Sequence, residues 1–249
     1  MEMLTQRRRR SEHMDDPSIS REELADALRF IRLVNRRLGG ARAALRPIET
    51  WVATRDRRQP LRVLDIGTGS ADIPLAIVDW ARRAGQSIQI TAVDNHPTTL
   101  SLATEHIGTT PEIALVQCDA LKLMEQFEPG AFDIAHAGMF LHHLHDMEVM
   151  TVLRIMERLT TIGVIWNDLT RRAIDRVAVR LMTVGLPVHV RHDARVSVEA
   201  GFTKREALDI ARRVGLHGPR YRRHLFGRFT LTSRSRSGGE MSDDEPPRR

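Results

Sequence analysis

Residues 61–72 read Leu61-Arg62-Val63-Leu64-Asp65-Ile66-Gly67-Thr68-Gly69-Ser70-Ala71-Asp72. The apolar run up to Ile66 predicts a short strand. Gly67 and Gly69 end it in a turn whose backbone can approach a ligand closely. A helical pattern over 71–84 follows at once. Further apolar runs at 88–93, 112–117, 132–137 and 162–166 predict four more strands. Helical patterns at 97–106, 146–159, 171–185 and 203–214 occupy the gaps, with Pro97 suited to a first helical turn. Such alternation predicts an α/β fold with a doubly wound parallel sheet. The end of the chain departs from the pattern. Residues 220–225 and 228–232 read as two strands joined at Gly227, a hairpin that closes the sheet with an antiparallel strand. Residues 21–38 and 42–55 read as two helices broken at Gly39-Gly40, with no strand partner, so they form an N-terminal helical cap.

Doubly wound sheets bind ligands beyond the carboxyl ends of their strands. A dinucleotide fingerprint requires a third glycine five positions after Gly67, where this chain has Asp72. A carboxylate there would repel a pyrophosphate from the helix N-terminus, which disfavours NAD and FAD. A nucleoside without phosphates suits the turn better. Asp94 ends the second strand, where its carboxylate can accept from two ribose hydroxyls or cap the helix at Pro97. Asp119 follows the third strand and can accept from an adenine amine or simply close a loop.

Four segments together resemble the class I S-adenosylmethionine-dependent methyltransferases, in the order and spacing of that family. They are 63–71, Thr91-Ala92-Val93-Asp94, Gln117-Cys118-Asp119-Ala120 and Phe132-Asp133-Ile134-Ala135-His136-Ala137. The resemblance covers about residues 35–232 and implies a Rossmann-like, seven-stranded methyltransferase sheet whose last strand is antiparallel. It implies S-adenosyl-L-methionine as cofactor. Gly67, Thr68 and Gly69 would hold its methionyl and ribose portions, and Asp65 its amino group. Asp94 would take the ribose hydroxyls, Asn95 would lie against the adenine, and Asp119, with Ala120 beside it, would meet the adenine amine. Ala137 and Gly138 would line the methionine end. Ala71 stands where many members have a third glycine. Within the family, Phe140-Leu141-His142-His143-Leu144 resembles a motif of the small-molecule, ubiquinone/menaquinone-type group. Asn167-Asp168-Leu169, Arg191-His192-Asp193 and Phe202-Thr203 resemble a bacterial branch associated with phenolic and polyketide-type metabolites.

The resemblance implies methyl transfer, an in-line displacement from a sulfonium. The leaving sulfur needs no acid, so an O–H acceptor asks the protein for positioning, exclusion of water and a base. His136, His142, His143 and His145 cluster after the fourth strand, where a base should sit or where histidines simply pack the loop. His143 is favoured over His142. His192 beside Asp193, on an insertion over 182–197, is the other candidate, with a polar loop as the plain alternative. Adjacent histidines on one turn seldom point at one ion, so no metal is expected. Ile174, Val177, Leu181 and Val184 share one face of the 171–185 helix, either as core or as a lid over a hydrophobic acceptor.

Composition bounds the rest. The 249 residues include one cysteine, Cys118, which excludes a disulfide framework and a Cys-rich zinc site. No stretch approaches the ~20 apolar residues of a membrane helix. The basic run at 7–10 has no apolar segment behind it, so a cytoplasmic protein without a secretory leader is expected. The net charge of +6 raises the question of nucleic acid. The surplus sits entirely in residues 195–232, which hold nine basic and three acidic groups, while the cofactor-binding half is balanced. Only 4% of residues are aromatic, which leaves few stacking platforms and disfavours RNA. The organisation read from the sequence is a disordered tail at 1–17, the cap at 18–58, the methyltransferase domain at 59–232 and a second tail at 233–249. The expected function is methyl transfer to a small hydrophobic, phenolic or polyketide-like acceptor, on oxygen or carbon. RNA methylation and non-catalytic S-adenosylmethionine binding are the alternatives.

Overall fold

A computed structural model describes residues 7–16 and 18–235. The cap consists of α1 (Arg21–Arg37) and α2 (Gly40–Val52). Ser20 starts α1 through a capping box, its hydroxyl accepting from the Glu23 amide at 3.2 Å. β1 (Leu61–Ile66), α3 (Asp72–Ala84), β2 (Ile88–Asp94), α4 (Pro97–Ile107), β3 (Ile113–Gln117) and β4 (Phe132–Gly138) follow. Then come α5 (Asp146–Leu159), β5 (Thr160–Leu169), α6 (Ala173–Met182), α7 (Val188–Ala200), α8 (Lys204–Arg213), β6 (His217–His224) and β7 (Arg228–Arg234).

The sheet order is β3-β2-β1-β4-β5-β7-β6. The first five strands are parallel, and β7 runs antiparallel between β5 and β6. The expected doubly wound sheet with its antiparallel last strand is therefore present. The order reverses between β1 and β4, so the carboxyl ends of these strands flank the crevice where ligands bind. Two apolar layers hold the sheet. One is built on α5 and α8, with Trp166, Phe202 and Phe229 in edge-to-face contact at 4.7 and 5.2 Å. The other is built on α2 and α3, where Ile48 and Ile77 cover Leu61 and Val63.

Three expectations are corrected. The first concerns the tail at 1–17: residues 7–16 lie packed on the body. The Arg7 guanidinium sits 4.0 Å above the Phe202 ring and donates to the carbonyls of His142, Leu144 and Ala200. Glu12 is buried and accepts from the Ser197 hydroxyl at 2.6 Å. Residues 1–6, Pro17 and 236–249 lie outside the described residues, so most of the second expected tail does too; Ser233 and Arg234 belong to β7. The second correction concerns the 182–197 insertion, which contains most of α7. Asp193 and Ser197 occupy the buried face of that helix because they bind the strap of residues 7–16. Asp193 accepts from the amides of His13 and Met14 at 2.8 and 3.1 Å. The third concerns α6, whose Ile174, Val177, Leu181 and the following Val184 are exposed and form no core.

Candidate active site

The turn after β1 wraps a cavity of about 700 Å³. Asp65, Gly67, Thr68, Gly69, Asp94, Asn95, Asp119, Ala120 and Gly138 all line it. Asp94 accepts from the Gly69 amide at 3.0 Å and the His96 amide at 3.1 Å, one on each oxygen. Each oxygen keeps lone pairs for further donors, and burial pushes the carboxyl up. The cap of α4 is His96, whose ring accepts from the Thr99 amide, so Asp94 remains free for a ligand. Asp119 is exposed and binds the Leu121 amide at 2.9 Å through one oxygen, leaving the other open. The Thr68 hydroxyl is buried without a hydrogen-bond partner. A two-acceptor carboxylate, an orphaned buried hydroxyl and a wall of backbone fit the ribose and methionyl parts of S-adenosylmethionine.

Several residues depart from their expected places. Ala137 is wholly buried in the core beside α5 and does not line the cavity, because side chains alternate along β4. Gly67 has φ +65°, and a Cβ there would collide with the Phe140 ring, so this glycine is required by protein packing as well as by the turn. Asp65 is not wholly free for the cofactor. Its Oδ1 accepts from His136 Nδ1 at 2.6 Å, and the ring's Nε2 is buried and unpartnered on the cavity wall. The parallel register sets Asp65 beside His136, a signal visible only once the strands are aligned. On the cavity wall, Asn35 donates to Asp72 at 3.0 Å and accepts from Arg228 at 2.8 Å. Burial brings the Arg228 guanidinium down to about 10.

A second cavity of about 100 Å³ adjoins the first. Met14, Ile31, Met139 and His143 line both. Its walls are apolar side chains of α1, α6 and α7, including Phe30, Val34, Val179, Met182 and Val198. Met139, with φ +55°, holds a left-handed conformation at the junction, a strain typical of functional sites. The polar end of this cavity is Glu12, His142 and His143.

His142 is buried. Its Nδ1 donates to Asp168 Oδ1 at 2.6 Å, and its amide reaches the same carboxylate at 3.2 Å. The indole of Trp166 and the amide of Leu169 also donate to Asp168. β5 extends to Leu169, so Asn167 and Asp168 are strand residues facing opposite ways, and neither caps α6. The His142 Nε2 has no hydrogen-bond partner, and Glu12 Oε1 lies 3.6 Å from it. Burial works against a charged ring, but Asp168 and Glu12 outweigh it and raise His142 to about 10. Burial likewise works against ionised Glu12, yet His143, His142 and Ser197 hold its carboxyl below the usual range. His143 Nδ1 lies 3.0 Å from Asp15 Oδ2. Burial opposes its charge as well, and Glu12 and Asp15 shift it upward.

The other histidines are elsewhere. His192 lines neither cavity; it packs edge-on against His13 at 4.8 Å. On α7, neighbouring residues point about 100° apart, so Asp193 reaches the cavity and its neighbour does not. His145 starts α5. Sequence reasoning missed Glu12, Asp15 and Met139. The first two sit in a charged run with no periodicity, and a lone methionine carries no signal.

Residues 63–163 match the family described as Methyltransferase domain. No curated protein matches the chain. Among solved structures, human N-acetylserotonin methyltransferase in complex with SAM superposes with a TM-score of 0.64 at 13% identity, over 92% of this chain and 63% of that one. PigF with SAH gives 0.58 at 20% identity, over 90% of this chain and 62% of that one. The CMeT domain of the citrinin polyketide synthase gives 0.58 at 12% identity, over 77% of this chain and 51% of that one. The chain thus spans between half and two thirds of the length of these three. At such identities the likeness carries the fold.

Proposed function

We propose that this class I S-adenosylmethionine-dependent methyltransferase methylates a small, largely apolar acceptor through an acidic proton-bearing group, such as a phenol. One observation carries the reading: buried His142, held at Nδ1 by Asp168 and making no hydrogen bond at Nε2, lines an apolar cavity that shares four lining residues with the larger one. S-adenosylmethionine, when bound, supplies a methyl carbon on a sulfonium. Asp94 and Asp119 take the ribose and adenine donors, and the Gly67–Gly69 backbone holds the methionyl part. Asp168 fixes the His142 tautomer, so Nε2 would take up the proton of the acceptor hydroxyl whose oxygen receives the methyl, the cofactor's methyl–sulfur bond breaking to leave a neutral thioether. Asp168 and Glu12 then stabilise the imidazolium that forms. A phenol titrates near ~10, and His142 is raised to about 10, so the transfer is nearly level in energy. The geometry favours His142 as base over His143, whose place at the junction suits shaping the path between the two cavities.

A pocket for a small molecule usually measures ~300 Å³ or more, and the acceptor cavity is about 100 Å³. A full-sized acceptor would fit there with α6 or the strap of residues 7–16 displaced outward. Substitution His142→Ala should lower turnover on a phenolic panel by ~100-fold or more, while calorimetry shows unchanged S-adenosylmethionine affinity. Undiminished turnover rejects the assignment. A divalent ion is the competing occupant of Glu12, His142 and His143, whose ligand atoms lie within 4.8 Å of one another. Loss of turnover in a chelator, restored by metal, would favour it.

A further inference from the structure

Helix α6 is apolar on two sides. Val179 and Met182 line the acceptor cavity, while Ile174 and Leu181 point to solvent. With Val184, Val188 and the hairpin tip Leu225-Phe226 they are 58–78% exposed. The tip lies against α6, since a Cβ on Gly227 would come within 2.9 Å of the Asp175 carboxyl carbon. Exposed arginines lie beside this apolar ridge, namely Arg180 on α6 and Arg223 on the α6 side of the edge strand β6, with Arg220 and Arg222 on the opposite face of that strand. Residues 171–190 and 217–230 contain one acidic side chain, Asp175, which is buried and paired with Arg172.

We infer that this ridge docks on an anionic lipid surface, with the apolar side chains entering the interface and the arginines meeting the headgroups. A convex apolar strip with cations beside it is the arrangement of interfacial binding. Two copies of the chain meeting face to face would instead oppose the same arginines across their axis. The docked orientation sets the α6 wall of the acceptor cavity against the bilayer, so an apolar acceptor dissolved there enters without crossing water.

The full chain is sedimented with vesicles of equal phosphatidylglycerol and phosphatidylcholine, and with pure phosphatidylcholine vesicles. Binding should favour the anionic vesicles by about 10-fold or more and weaken strongly between 0.1 and 0.5 M salt. Ile174→Ser with Leu181→Ser should abolish it, as should Arg222→Ser with Arg223→Ser, and all four residues lie outside both cavities. Unchanged S-adenosylmethionine affinity certifies the variants as folded. No binding to anionic vesicles overturns the inference, as does undiminished binding by the apolar variant. A concentration-dependent dimer in ultracentrifugation, dissolved by the same variant, assigns the ridge to a second copy and also overturns it. Vesicle binding requires no turnover, so its failure leaves the methyl-transfer reading intact.

Discussion

Glu12 lies 3.6 Å from the free nitrogen of His142, and replacing it by glutamine removes one charge while keeping its shape. At an effective dielectric of about 20, a charge pair at that distance is worth about 4.6 kcal/mol, an upper figure for this contact. Asp168, at 2.6 Å on the other nitrogen, shares the work of raising His142 to about 10 against its own burial. The Glu12 share therefore comes to roughly 1–2 pH units, within the range for an opposite charge at this separation. The base must be neutral to act. Turnover in the parent should climb with pH toward an alkaline limb, and Glu12→Gln should move that limb to lower pH by the same ~1–2 units. Near neutral pH the variant should then hold roughly 10–100 times more of its base in the neutral form. Its imidazolium is less stabilised, so the plateau at high pH should fall. The assay is labelled-methyl transfer to a phenol between pH 6 and 10.5, with S-adenosylmethionine saturating. Coincident pH profiles for the two proteins would refute the reasoning. Stability carries the same sign. The raised His142 contributes fully below ~6.5, and its contribution is lost as pH rises toward about 10. The unfolding free energy that separates parent from Glu12→Gln should shrink over that window.

Asp94→Ala removes the carboxylate proposed to accept from the ribose hydroxyls and orphans the Gly69 amide, so S-adenosylmethionine affinity in calorimetry should fall roughly 10–100-fold or more; unaltered affinity excludes the ribose role. Ala71 holds a left-handed backbone at φ +55°, so Ala71→Gly should stabilise the protein by about 1 kcal/mol in denaturant titration. A destabilised variant would mean that the lost methyl packing outweighs the relief. His192→Ala should leave turnover within about twofold of the parent, because the ring touches neither cavity.

The sheet was legible because its signals are local. The run 61–66 and the glycine turn are contiguous, Asp94 closes the very next strand, and the structure places them together. Ala137 and Gly138 show the limit of such reading. Both sit at the end of β4, and only the pleat decides that the second lines the cavity. Helix α7 was hidden for a different reason. Asp193 and Ser197 are polar residues on its buried face, and their partners are Glu12, His13 and Met14, more than 175 positions away. The same distance concealed the strap itself, where a run of arginines and acids reads as solvated until Phe202 and the His142 carbonyl supply its contacts.

The contact between Glu12 and Ser197 closes a loop of 185 residues. Long loops close late in folding. During synthesis the β1-to-β4 nucleus can settle while α7 is still unmade, and residues 7–16 must wait for it. The strap also lines the larger cavity through Arg9, Arg10, Ser11, Met14 and Asp15, so both cavities are completed only when it docks. One late docking event thus finishes the binding site and the reaction site together, so ligand-dependent rescue of folding should track recovery of turnover.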